Sequence, residues 1–255
     1  MNTETVKFHI ENHTTFIILN RSEVHNAVNG EMMEELDFVL TKVDNDKDIY
    51  CIVLTGEGKE SFCAGGDLRY FATLKTREAG SKMSLRMQNI LNRLWNGNKP
   101  AIAAINGQVL GGGCEILTAC HFRIATSGAT FTFRQAANGI ITGWGGGVRL
   151  FDQIGKSQAM RLLLTADSID AHEALRIGLI DKIVKPYNLM DEAKQMANRI
   201  CKNSRGAVQK IMELRKVVGQ GDIKKATEFE TNAFADLWAG NDFRKFLKDY
   251  FSEKT

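Results

Sequence analysis

Apolar residues alternate at Val6, Phe8 and Ile10 and then run unbroken from Phe16 to Leu19, which predicts two strands joined by a turn at Asn12-His13. After Asn29, a residue suited to a helix N-cap, Met33, Leu36, Leu40 and Val43 recur at helical spacing. Ile49–Leu54 reads as a buried strand closed by Gly56-Glu57-Gly58. Ala101–Val109 reads as another, opened by Pro100 and running into glycines. Phe122–Phe133 gives a strand, a turn at Ser127-Gly128 and a second strand. Ser157–Thr165 and Asp170–Ile177 carry helical spacing, the latter with Asp170 as cap and Glu173 three residues on. From about Asn188 onward the pattern is helical with short breaks. Strands and helices alternate early and helices alone follow, so the expected fold class is α/β with a helical C-terminal part. The sequence shows no internal repeat.

Composition narrows the function. A chain of 255 residues with 44% hydrophobic content supports one large core, or a main domain with a smaller one. Its apolar runs fall far short of the roughly 18 residues of a membrane helix. The N-terminal stretch MNTETVKFHI has no apolar signal core and no Arg-rich transit pattern, so the expectation is a cytoplasmic protein without a membrane partner. The 33 basic and 30 acidic residues give a net charge of +3 and are mixed along the chain, which does not indicate a nucleic-acid surface. The five cysteines form no CxxC pair and the five histidines no HExxH, so reduced thiols and no metal are expected.

Three segments are unusually rich in glycine: Ala64-Gly65-Gly66-Asp67, Gly111-Gly112-Gly113 and Gly143-Trp144-Gly145-Gly146-Gly147. A phosphate loop fits none of them. Gly155-Lys156-Ser157 resembles the end of one, but Leu150 stands where the first glycine is required, and no cluster reads GxGxxG. Two of the segments follow strands and lead towards helical pattern. A strand-to-helix turn leaves free N–H groups at the helix start, and two such turns facing one point make an oxyanion hole. The plainer alternative is that the glycines only allow close packing.

Four ordered segments carry a family resemblance: SFCAGGDLRYF (Ser61–Phe71), IAAINGQVLGGGCEILTACHF (Ile102–Phe122), GIITGWGGGVRL (Gly139–Leu150) and DAHEALRIGLIDKIV (Asp170–Val184). The chain resembles the enoyl-CoA hydratase/isomerase, or crotonase, superfamily from about residue 5 to residue 250. The resemblance implies a crotonase-like spiral of ββα units, here residues 1–190. A helical region, 191–255, would follow for trimerisation and for covering coenzyme A. It implies an acyl-CoA thioester substrate, no bound cofactor, and a homotrimer or homohexamer.

The resemblance also assigns residues. The thioester oxygen would sit between the N–H groups of Gly66 and Gly112, with Ala64 and Gly65 beside it. Glu115, three residues after Gly112, matches the glutamate that holds or activates water in the family's hydratases. Gln135 stands where typical hydratases carry a second glutamate. A carboxamide neither gives nor takes a proton at neutral pH, though it still hydrogen-bonds. Asn26 and Ala27 match positions along the coenzyme A path, and Arg69, Lys245 and Lys248 are phosphate candidates. Trp144 would narrow the acyl pocket or pack in the core. Asp67 is expected to cap a helix, His121 to be structural, and Cys63 and Cys114 to be buried rather than nucleophilic.

The reading is therefore an enzyme that stabilises an acyl-CoA enolate, nominally an enoyl-CoA hydratase-type lyase. Gln135 keeps a decarboxylase of malonyl- or alkylmalonyl-CoA as an alternative. GIITGWGG itself resembles the matching stretch of the family's alkylmalonyl-CoA decarboxylases. An enoyl-CoA isomerase and a catalytically weak acyl-CoA-binding subunit are further alternatives.

Overall fold

A computed structural model describes residues 3–252. Residues 1–2 and 253–255, at the outer ends of the two segments expected above, lie outside the described residues. The hairpin forms as the alternation predicts. Strands β1 (Val6–Glu11) and β2 (Thr14–Leu19) pair antiparallel, and the chain turns on Asn12 and His13 with φ of 47° and 64°. Asparagine and histidine are among the residues that tolerate this left-handed region. Helix α1 (Gly30–Asn45) starts on Asn29, whose side chain accepts from Met32 N at 2.9 Å, and it buries Met32, Met33, Leu36, Val39, Leu40 and Val43.

From there the backbone repeats one excursion three times. The first comprises β3 (Cys51–Gly56), β4 (Ser61–Cys63) and the helices α2 (Leu68–Phe71) and α3 (Arg77–Trp95). The second comprises β5 (Ala101–Ile105), β6 (Gln108–Leu110) and α4 (Gly112–Leu117). The third comprises β7 (Phe122–Thr126), β8 (Thr130–Thr132) and α5 (Gly146–Thr165). After them come β9 (Ser168–Asp170), α6 (Ala171–Arg176), β10 (Lys182–Val184), α7 (Leu189–Cys201), α8 (Arg205–Val218), α9 (Ile223–Ala239) and α10 (Asn241–Ser252). The first strand of each excursion enters a six-stranded sheet of order β1-β2-β3-β5-β7-β10, and the second enters a four-stranded sheet of order β4-β6-β8-β9. This is a ββα spiral. Its repeat lives in the backbone and leaves no repeat in the sequence. Strands β3 and β5 are buried at every residue, and so their sequences are continuous apolar runs rather than alternations.

The single strand expected over Ala101–Val109 is two strands in two sheets. Asn106 Nδ2 donates to the carbonyls of Gly56, Gly58 and Ser61, at 3.0, 2.9 and 3.2 Å, and turns the chain out of the first sheet. Any side chain at Gly107 would overlap the Glu60 carbonyl, so the crossing requires glycine there. Helix α3 is not announced by the apolar spacing of the sequence, because its fully buried residues (Met87, Ile90, Leu91 and Leu94) fall only in its second half. Helix α5 starts at Gly146 rather than near Ser157, and Gly155 (φ 75°, ψ 166°) interrupts it.

The chain divides into two compact units, residues 1–198 and 199–255. The first contains both sheets and the continuous apolar core. The second contains α8–α10, with Trp238 in ring contact with Phe234 and Phe243. Among the described residues no helix is long and apolar enough to cross a membrane.

Candidate active site

The glycine turns bring β4, α2 and the start of α4 together. Asp67 caps α2 as expected: its Oδ1 accepts from Arg69 N and Tyr70 N at 2.9 and 3.4 Å, and its Oδ2 pairs with Arg21 Nη1 at 2.9 Å. Burial pushes the Asp67 carboxyl up, but Arg21 and the two N–H groups outweigh it and hold it below the ordinary range. A side chain on Gly113 would overlap the Cys63 carbonyl, and one on Gly65 would lie 2.7 Å from Gly112 N. The two turns therefore touch. Val28 N donates to Gly65 O and Asp67 N to Val28 O, which leaves the N–H of Gly66 between two bonded neighbours. Gly112 is the first residue of α4, where an N–H has no intrahelical acceptor. Among the described residues neither Gly66 N nor Gly112 N donates to a protein acceptor. The Phe71 ring lies against the α-carbon of Gly66 and the Trp144 ring against that of Gly112, so an added Cβ at either glycine would overlap an aromatic ring.

One helical turn past Gly112, Glu115 is 2% exposed. Its Oε1 accepts from Gln135 Nε2 at 3.1 Å and Gly143 N at 3.2 Å. Its Oε2 accepts from Trp144 N at 2.7 Å and Gly146 N at 2.9 Å. Burial pushes the Glu115 carboxyl above the ordinary carboxylate range, against the pull of these four donors. All four contacts donate, so the geometry is that of the ionised carboxylate. Glu115 and Gln135 are thus brought together as the sequence implied.

Sequence reasoning missed what holds the loop. Arg149 is buried in α5. Its Nη2 donates to the carbonyls of Glu115 and Trp144, both at 3.0 Å, and its Nε to Thr118 Oγ1 at 3.2 Å. Burial brings its guanidinium down to about 10. Helix α3 grips the other side: Ser84 Oγ and Gln88 Nε2 donate to Gly143 O at 2.5 and 2.9 Å, and Trp144 Nε1 donates to Met83 Sδ at 3.3 Å. A charged residue inside the apolar run GVRL was the one available signal for Arg149. The amide donors at 143, 144 and 146 have none, because a backbone N–H is the same in every residue.

Other expected site residues lie differently. Asn26 is fully buried, its Oδ1 accepting from Arg21 N and its Nδ2 donating to Glu57 O and Ser61 O. Its side chain therefore shapes the Arg21–Ala27 segment, while the Ala27 carbonyl accepts from Arg21 Nη1 at 2.7 Å. Arg69 is exposed on α2, as are Lys245 and Lys248 on α10 in the second unit. Ala64 is half-buried beside the Gly66 turn. His121 accepts from Ala101 N at 3.0 Å and stacks on Trp95, a structural seat. Burial pushes the Cys63 and Cys120 thiols up to about 12 and Cys114 higher still, so none of the three is a ready nucleophile. Among the described residues no three His, Cys, Asp or Glu side chains stand together where they could hold a metal ion.

Comparisons with known proteins show the family. The model of the enoyl-CoA hydratase/isomerase family matches residues 9–255. A short-chain-enoyl-CoA hydratase of Clostridium acetobutylicum is 37% identical over 244 residues, 96% of this chain and 93% of that one. An ethylmalonyl-CoA decarboxylase of Gallus gallus is 33% identical over 227 residues, 88% of this chain and 76% of that one. The crystal structure of an enoyl-CoA hydratase from Bacillus anthracis superposes with a TM-score of 0.93 at 30% identity, covering 98% of this chain and 96% of that one. The chain belongs to the enoyl-CoA hydratase/isomerase family and is an enzyme of that class.

Proposed function

We propose that the protein is an enoyl-CoA hydratase-type lyase. The thioester oxygen accepts from Gly66 N and Gly112 N, which aim at negative charge that develops only in the enolate. Removing one such donor typically costs about 3–4 kcal/mol of transition-state stabilisation. Water adds through its oxygen to the β-carbon, the π electrons move onto the thioester oxygen, and Glu115 takes the water proton and returns it to the α-carbon. Glu115 is a buried carboxylate one helical turn past Gly112, whose N–H donates to no protein acceptor among the described residues and lies against the Gly65–Gly66 turn, and that observation carries the reading. Ala64, Gly65, Ala27 and Trp144 complete the acyl and pantetheine path, with Asn26 shaping it from below. Arg69 meets phosphate, and Lys245 and Lys248 on α10 are separate phosphate candidates. A cytoplasmic homotrimer or homohexamer remains part of the proposal. It is supported by exposed apolar side chains such as Ile141 and Val148, 83% and 79% accessible in the single chain.

Gln135 favours a second reading. Loss of carbon dioxide from an alkylmalonyl thioester makes the enolate directly and needs the two amides but no base. The deciding experiment is the product mass after incubation with crotonyl-CoA and ethylmalonyl-CoA together. Addition of one water to crotonyl-CoA supports the hydratase. Loss of carbon dioxide from ethylmalonyl-CoA, with crotonyl-CoA unchanged, replaces it with the decarboxylase.

A further inference from the structure

An ionised carboxylate offers about four lone-pair positions, two on each oxygen. In Glu115 all four are filled: Gln135 Nε2 and Gly143 N on Oε1, Trp144 N and Gly146 N on Oε2. A carboxylate so occupied has no lone pair to itself for the proton of a water: a fifth donor must share one, as three donors share Glu35 Oε2. Three of the four donors are backbone amides in a loop fixed from both sides, by Ser84 and Gln88 on Gly143 and by Arg149 on Trp144. Only Gln135 donates from a side chain, with torsions of its own. Its other end is unsettled: Gln135 is 6% exposed, and its buried Oε1 has no hydrogen-bond partner.

The seat of Gln135 is thus an even contest. One charge-assisted hydrogen bond to Glu115 holds it in place. Against that stands a buried carbonyl whose hydrogen bonds to water have been given up without replacement. Small perturbations tip such a balance. A substrate or water that offers Oε1 a donor elsewhere draws the carboxamide away and opens one lone pair of Glu115. Reversing the carboxamide in place does not relieve the orphan, because Oε1 would then face the carboxylate.

We propose that Gln135 masks Glu115: it is a positioning residue that occupies the last acceptor site of the carboxylate and must leave before Glu115 can take a proton from water. This deepens the hydratase reading and rests on it. The variant Gln135→Met keeps the length and bulk of the side chain while removing donor and acceptor together. The test is steady-state hydration of crotonyl-CoA by the wild type and this variant across pH. Masking predicts that kcat rises at least tenfold in Gln135→Met, with KM within twofold. The acidic limb of the kcat profile moves to higher pH, because one hydrogen bond that favoured the carboxylate is gone. Gln135→Leu, which also carries neither donor nor acceptor, serves as a second variant against misfolding, and it too should exceed the wild type. If the wild type hydrates crotonyl-CoA and neither variant is faster, or both are slower, masking is wrong and the hydratase reading stands. If no protein of the three hydrates it, both fall together.

Discussion

Two glutamates in this molecule are equally buried, each 2% exposed, and each accepts four hydrogen bonds. Glu35, on α1, accepts from the backbone N–H groups of Glu4, Thr5 and Val6 and from Thr5 Oγ1, at 2.7–2.9 Å. Glu115 accepts from three amides and one carboxamide. Burial and a count of four donors therefore do not mark a catalytic group. The surroundings carry the proposed difference. The donors of Glu35 come from one short run leading into β1, and the carboxylate clamps that run onto α1. The donors of Glu115 come from a loop, the first residue of α5 and an independent side chain, and one turn earlier its helix starts at Gly112, against the Gly65–Gly66 turn. The first carboxylate closes a surface. The second lies beside the two glycine turns, where the proposed function puts the thioester oxygen.

The largest expected effect separates the two by activity. Glu115→Gln should lower kcat for crotonyl-CoA by about a thousandfold, within the range of general acid–base contributions, with little change in KM. Glu35→Ala should leave kcat per folded molecule within twofold. It should instead lower unfolding free energy in urea by about 2–4 kcal/mol, since several buried donors lose their acceptor together. Loss of activity in Glu35→Ala in excess of its unfolded fraction would erase the distinction between the two sites.

A smaller effect is the pH dependence of stability. The folded-state carboxyl of Glu115 titrates above its unfolded value because it is buried. Such a group contributes stability that is fully present below the unfolded pKa and is lost as pH rises through the folded one. Glu115→Gln does not titrate. The unfolding free energy of the wild type, taken relative to that variant, should therefore fall between acidic and neutral pH. A constant or rising difference would mean that the four donors outweigh burial.

How far the sequence reaches follows the same line between side chain and backbone. Helix starts marked by Asn29, Asp67 and Asp170 were legible because capping is written in side-chain oxygens, and each cap is made. The split of Ala101–Leu110 between two sheets was not. Nothing in the composition of the stretch marks the break, and the crossing is decided by a clash with Glu60, more than 40 residues away in sequence. The site divides likewise. That Glu115 and Gln135 meet was legible from glycine spacing and family motif. The amides that saturate Glu115 and the α3 side chains that fix their loop were not, and Asn26, read as lining the substrate path, turned out to hold three backbone groups. Distant carbonyls and amides carry no letter of their own.

The finest contrast removes one side-chain donor from each carboxylate without changing shape. Thr5→Val deletes the hydroxyl that donates to Glu35 at 2.8 Å, and Gln135→Met deletes the carboxamide that donates to Glu115 at 3.1 Å. Thr5→Val leaves Glu35 Oε2 with its two amide donors and unpairs no other group, so it should cost about 1 kcal/mol, the usual net worth of one bond. Gln135→Met loses a comparable bond but also removes an acceptor that has no partner. The two terms oppose each other, and its stability change should be smaller than that of Thr5→Val, read as urea midpoints at equal m-value. If Gln135→Met instead costs clearly more, Gln135 is held firmly on Glu115 and the two carboxylates are alike after all: both are clamps.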